Sequence, residues 1–363
     1  MPTASRIQEE SFRLGAGRYI QQCGAVSLVG EECVRLGAKA PLVVGGATAL
    51  SIAKEKIDAS LSASGISAVY YTYHGFCSDE GVSAVTTSCG MDFDAVIGVG
   101  GGTVMDVAKA IAIKLCAPVI NIPTSSATCA AFTPLSVFYK VDGRKDRTVH
   151  HKTEVNAVLA DMDILSNQPP RLFLSGAYDA MAKLYELRQR MLGVDTDECD
   201  IGLLASYHTS SFMVDLLCQR LDGCVEDLKR GISTKRLYDC IYTSIALCGV
   251  VSGLARGSNQ TAIAHKIYEI ARNDFSSEAL GYLHGELVAM GLVLQIAYNG
   301  EGDPCQFKDE LHRYSIPASF SEIGVKRGEC ATLIYERLIN STAMAGTTDD
   351  ERSRLKEAIR YII

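Results

Sequence analysis

Two of the seven histidines, His265 and His284, stand nineteen residues apart in "TAIAHKIYEIARNDFSSEALGYLHGELVAMG" (261–291). Each lies in a mostly apolar run of helical period, where an unpartnered polar ring is costly to bury. Neutral imidazole is a common metal ligand, which is one use for such a residue. Taken singly, either is better read as a core histidine. A second stretch offers different chemistry. "IGVGGGTVMDVAKA" (97–110) sets Gly100, Gly101 and Gly102 between a strand and a helix. Glycine there permits positive φ and close approach of a ligand. A helix beginning near Thr103 would present N–H groups and the positive end of its dipole to a diphosphate. The spacing is not GxGxxG and no GK[ST] follows, so neither the ordinary dinucleotide fingerprint nor a P-loop is present. A plain strand-to-helix turn has the same composition.

These residues need elements to hold them. Before residue 165 short apolar runs alternate with helical ones. "APLVVGG", "ISAVYYTYHG", "FDAVIGVGGG", "APVINIPTSS", "TPLSVFY" and "EVNAVLADMDIL" read as strands, with "KVDGRK" as a turn between the last two. Helices are expected from about Leu50 and over "TVMDVAKAIAIKL". Continuous apolar strands separated by helices predict a mostly parallel sheet covered on both faces. Pro169 and Pro170 mark a change, after which helical periodicity runs to Ile363 with no convincing strand. The expected organisation is an α/β domain over 1–165 and an all-α domain over 166–363, with the site in the cleft between them.

Composition narrows the function. A net charge of −7 with no block of Lys or Arg argues against a nucleic-acid or anionic-membrane surface. No uninterrupted apolar run reaches membrane-spanning length, and the opening "MPTASRIQEESFRLGAG" has no apolar leader. Thirteen scattered cysteines without a CxxC pair read as reduced, mostly structural thiols of a cytoplasmic protein, and do not support a cysteine-rich metal site.

Read with the glycine turn, "PTSSATCAAFTPLSVFY" (123–139) resembles the iron-containing alcohol dehydrogenase superfamily, in its glycerol dehydrogenase branch. "GAGRYI", "GFCSDE", "SGAYDAMAKLYE", "AIAHKIY" and "LHGELVAMG" are similar to other segments of that branch, in order and along nearly the whole chain. Within it, "ATCAAFTPLSVFY" is most like the bacterial hydroxycarboxylate dehydrogenases, which reduce 2-oxo acids.

The resemblance implies the dehydroquinate synthase-like fold of that superfamily and an NAD(P)(H)-dependent dehydrogenase with one divalent metal. It implies Asp179, His265 and His284 as the metal ligands, a set that leaves an open position; these ligand types suit Zn²⁺ and Fe²⁺ about equally, and the count of three, as in the zinc-using branch, makes Zn²⁺ the expected ion. Asp179 is expected to begin its helix. The diphosphate should meet Gly100, Gly101, Gly102, Thr103 and Val104. The nicotinamide half should meet Thr124, Ser125, Thr128, Thr133, Leu135 and Tyr139. The chain also departs from the branch. Tyr268 replaces a second histidine and becomes a candidate hydrogen-bond donor or proton relay. Lys183 stands where iron-binding members often carry a further ligand; a protonated lysine cannot ligate. Gly46 replaces the ribose-binding aspartate, so NADP(H) is not excluded. Cys129 replaces the aspartate that holds glycerol, which favours a substrate bearing a carboxylate, with Lys183 as the cation to receive it. The expected reaction is hydride transfer between NAD(P)H and a small 2-oxo or 2-hydroxy acid. A polyol dehydrogenase is the alternative; a cyclase of the same fold and a non-catalytic binding protein are rivals from other classes. The partner would be a small molecule, and a homo-oligomer is expected.

Overall fold

A computed structural model describes residues 13–197, 199–256 and 261–363. The stretch 1–12, on which most of the leader reading rests, lies outside them. Eight strands are described: β1 (Tyr19–Gln22), β2 (Pro41–Gly45), β3 (Val69–Thr72), β4 (Ala95–Gly100), β5 (Val119–Pro123), β6 (Leu135–Tyr139), β7 (Lys145–His150) and β8 (Ala157–Asp161). Six form one sheet in the order β1-β8-β5-β4-β2-β3, every neighbouring pair parallel.

The physical reason lies in the strands themselves. β2, β4, β5 and β8 are buried along their whole length, so no face needs polar side chains. Their residues divide by parity. Val43, Ile97, Val99, Ile120 and Leu159 pack with Ala53, Ile57 and Leu61 of the helix Ala47–Ala63. Leu42, Val44, Val96 and Val158 face the other way, into a core shared with Phe173, Tyr178 and Leu292 of the helical half.

Two strand readings need correction. β6 is not in the parallel sheet; it pairs antiparallel with β7, a strand beyond those expected, of which only Lys145 falls in the expected turn "KVDGRK". β7 is the polar "KDRTVH", largely exposed, and carries no apolar run to announce it. The expected strand "EVNAVLADMDIL" ends at Asp161, whose side chain caps a short helix, Met162–Leu165, by accepting from Asp163 N.

After Leu165 every described element is helical. The site is carried by three of them. The Asp179 helix is Pro170–Arg190, the His265 helix Ile263–Asp274 and the His284 helix His284–Asn299. Asp179 stands mid-helix, not at its start, because the helix already begins at Pro170, where the missing N–H costs nothing. The stretch Lys235–Leu254 is long and apolar enough to cross a membrane, but 61% of its apolar window is buried in the fold. A π turn, Thr243–Leu247, interrupts it just before Cys248.

Candidate active site

Asp179, Lys183 and Glu186 follow at i, i+4 and i+7 on one face of their helix, and all three are buried. That face meets the two histidines. Asp179 Oδ1 lies 3.2 Å from His265 Nε2 and 3.4 Å from His284 Nε2. Ligand-type atoms of the three residues all fall within 4.8 Å of one another.

Two glycines make this convergence possible. A Cβ on Gly176 would sit 1.8 Å from the Ser126 carbonyl oxygen; one on Gly285 would sit 1.8 Å from the Ser175 carbonyl oxygen. The Asp179 helix is therefore pressed between the loop after β5 and the start of the His284 helix, at distances only glycine allows.

Glu186 fixes His265. Its Oε1 accepts from Ala262 N and His265 N, each at 2.8 Å, at the positive end of the His265 helix. Its Oε2 is 2.6 Å from His265 Nδ1. The imidazole thus donates its Nδ1–H to Glu186 Oε2 and turns Nε2 toward Asp179 and His284, as carboxylate-supported metal ligands do. Burial pushes the His265 ring down, but Glu186 outweighs it and raises the group to about 9. Burial depresses His284. Burial also works against the charge on Asp179, but Lys183 and His284 outweigh it and hold the carboxyl well below its usual range. Lys183 Nζ lies 3.9 Å from Asp179 Oδ1 and 3.4 Å from His265 Nε2. Burial alone would lower Lys183, yet Asp179 keeps it protonated.

One carboxylate oxygen and two imidazole nitrogens converging on one point, oriented by a second carboxylate, fit a divalent ion with an open position. Lys183 is a neighbour of that position and no ligand.

A cavity of 680 Å³ runs from this cluster to the glycine turn. Gly101, Gly102, Thr103 and Val104 line one end, and Ser125, Thr128, Cys129, Thr133, Leu135 and Tyr139 line the cavity as well. Asp179, Lys183, His265, Tyr268 and His284 line the other end. Gly100 and Thr124 stand behind the wall, bonded backbone to backbone (Thr124 N to Gly100 O, 2.9 Å). Gly46 is off the cavity as well; it caps the helix Ala47–Ala63 at the end of β2, with open space where a Cβ would be. The turn glycines also serve differently from expectation. None takes positive φ. Space is what demands them: a Cβ on Gly102 would meet Thr128 Oγ1 at 2.8 Å, and one on Gly100 would meet Val104 Cβ at 2.9 Å.

Tyr268 and Tyr139 share a hydroxyl–hydroxyl bond of 2.7 Å, and the Tyr268 ring stands edge-on to His284 at 4.3 Å. Burial raises both phenols, so they are donors and not bases at neutral pH.

Several residues escaped the sequence reading. Glu186 is one. Another is the buried pair Asp106–Lys109 (3.0 Å), two charges on the otherwise apolar "TVMDVAKAIAIKL", a signal that was visible. Lys109 Nζ donates to the carbonyls of Ala130, Thr133 and Leu135, and Asp106 accepts from Val137 N, which together pin the cavity wall. Arg272 donates to the carbonyls of Ala279 and Tyr282 and braces the loop leading to His284.

The parallel sheet, the glycine turn at a strand's carboxyl end and the Asp–His–His cluster define a class, and the chain belongs to the iron-containing alcohol dehydrogenase family, whose sequence profile matches residues 16–163. Its relatives specify it further. The chain is 30% identical over 284 residues to hydroxycarboxylate dehydrogenase A of Escherichia coli K12, covering 77% of this chain and 76% of that protein. It is 27% identical over 319 residues to glycerol dehydrogenase of Thermotoga maritima, covering 85% and 84%. Among solved structures, glycerol dehydrogenase of Schizosaccharomyces pombe superposes with a TM-score of 0.81 at 22% identity, covering 97% of this chain and 90% of that one. A probable glycerol dehydrogenase of Sinorhizobium meliloti 1021 gives 0.79 at 20% identity, covering 96% and 97%. These two likenesses show the fold. The protein is an NAD(P)-dependent dehydrogenase of CH–OH donors, from a family that uses a divalent metal.

Proposed function

We propose that the protein reduces small 2-oxo acids to 2-hydroxy acids with NADPH or NADH, using zinc held by Asp179, His265 and His284. The observation that carries this reading is the charge of the buried cluster. Asp179 and Glu186 are held anionic and Lys183 cationic, and with an ion bound the two imidazoles would be neutral ligands, His265 giving up the proton it otherwise keeps. A divalent ion then leaves one net positive charge in a site shielded from water, which a monoanionic substrate neutralises. Glycerol brings no charge. Cys129, lining the cavity beside this cluster, adds no carboxylate of its own to repel one.

When bound, the ion supplies Lewis acidity and the nicotinamide supplies the hydride. The chain supplies the rest. Lys183 Nζ offers N–H donors beside Asp179 to an oxygen of the substrate carboxylate. Glu186 keeps His265 in the tautomer that leaves Nε2 to ligate. The paired hydroxyls of Tyr268 and Tyr139 lie at the same end of the cavity and can pass a proton toward a developing alkoxide. Gly101, Gly102 and Thr103 offer the start of their helix to the diphosphate. Gly46 opens another helix, at the end of β2, where the neighbouring strands β2 and β4 lead off to opposite sides of the sheet. The position carries no carboxylate to repel a 2′-phosphate, which supports use of NADPH.

The test is a substrate panel: 2-oxobutyrate, 2-oxoglutarate, butanal and glycerol, with each nicotinamide and with Zn²⁺ added. The expected result is a kcat/KM for a 2-oxo acid at least tenfold above butanal and above glycerol oxidation. Robust glycerol oxidation without 2-oxo acid reduction would overturn the reading.

A further inference from the structure

Two sulfurs beside the Asp–His–His cluster form a second donor set, and one of them, that of Cys129, is on the cavity wall. Cys129 and Cys248 come from segments 119 residues apart, a 3-10 turn after β5 and the helical residue just beyond the π turn. Their Sγ atoms and a carboxylate oxygen of Asp179 all lie within 4.8 Å of one another. Cys248 and Asp179 are buried, while Cys129 lines the cavity and is reachable from it. We propose that Cys129, Cys248 and Asp179 form a binding site for a thiophilic divalent ion, adjoining the Asp–His–His cluster and sharing its aspartate.

The chemistry fits on two counts. Two thiolates and a carboxylate are a donor set that soft and borderline ions such as Cd²⁺ and Zn²⁺ prefer. The charges close: three anionic ligands, one divalent ion and the Lys183 ammonium, which acts on both sulfurs, sum to zero in a buried place. Because Cys129 also borders the substrate end of the cavity, an ion held there would obstruct the substrate. The site is therefore where excess thiophilic metal would inhibit. None of this depends on which substrate the enzyme reduces.

The probe is Cd²⁺ alone, titrated into full-length protein carrying His265→Ala and His284→Ala, so that the neighbouring set cannot hold it. Thiolate-to-cadmium charge-transfer absorbance should rise and saturate at a single equivalent. Adding Cys129→Ser or Cys248→Ser should abolish that rise. No charge-transfer band, or one that persists undiminished in both serine variants and so belongs to other thiols such as Cys224 and Cys240, would overturn the proposal. A second measurement needs no substitution. In the unmodified protein Cd²⁺ should slow alkylation of Cys129 at least tenfold, read by peptide mass spectrometry, and unchanged labelling would equally overturn it.

Discussion

His265 owes its geometry to Glu186, which is 79 positions away in the chain and 2.6 Å away in space. Replacing Glu186 with Gln keeps the size and an acceptor for the helix N–H groups but removes the charge that holds the Nδ1 proton. The Zn²⁺ concentration for half-maximal turnover should rise 10- to 100-fold, the usual cost of losing such a partner, with an unchanged circular dichroism spectrum. An unshifted activation curve would reduce Glu186 to a helix cap. The two histidines and Asp179 were legible because their segments resemble known ones. Glu186 was printed in the same motif, yet its partner lies across the fold and no spacing rule connects them. Cys129 was singled out as a substituted position, but its meeting with Cys248 was invisible for the same reason.

At the scale of elements, the site is a three-way contact held open by missing side chains. Gly176→Ala would drive a Cβ into the backbone at Ser126, which side-chain repacking cannot relieve. The expected loss is about 3 kcal/mol, the upper end for overpacking, seen as a lower urea midpoint together with lost activity. A variant of normal stability would mean that the two elements can separate freely. The β6–β7 hairpin carries a different sensitivity. His151, just beyond β7, is buried, with Nε2 2.8 Å from the Ser136 hydroxyl, and burial, with Lys109 behind it, lowers the imidazole to about 4. Above pH about 6.5 both folded and unfolded forms are neutral and nothing is lost. As pH falls from about 6.5 to about 4 the unfolded chain takes a proton that the fold resists, so stability drains over that window by roughly 3 kcal/mol. His151→Gln should flatten this part of the stability–pH curve relative to the parent; parallel curves would contradict it. The hairpin also shows where pattern reading stops. β6 is apolar enough to be seen, but its polar partner carries no pattern that announces a strand, so the antiparallel pairing could not be inferred.

With a divalent ion bound between its helices, the proposed site would be locally positive inside a chain of net charge −7. The parallel sheet delivers the glycine turn at the carboxyl end of β4, and the helical half delivers every residue of the Asp–His–His cluster. One buried cluster of side chains runs continuously from the sheet face into those helices. This division was legible, since apolar strand runs stop and helical periodicity takes over near Pro169. What the sequence concealed was the charge balance at the junction, because Lys183, Asp179 and Glu186 look like an ordinary polar face until two other helices bury it. The central claim is that this junction moves a hydride onto a carboxylate-bearing carbonyl. The most direct measurement uses NADPH deuterated at its transferable nicotinamide position, a small 2-oxo acid and the zinc-loaded protein. Mass spectrometry should find one deuterium on the carbinol carbon of the 2-hydroxy acid product, in proportion to NADPH consumed. Absence of labelled 2-hydroxy acid, under conditions where the same protein oxidises glycerol, would contradict the account.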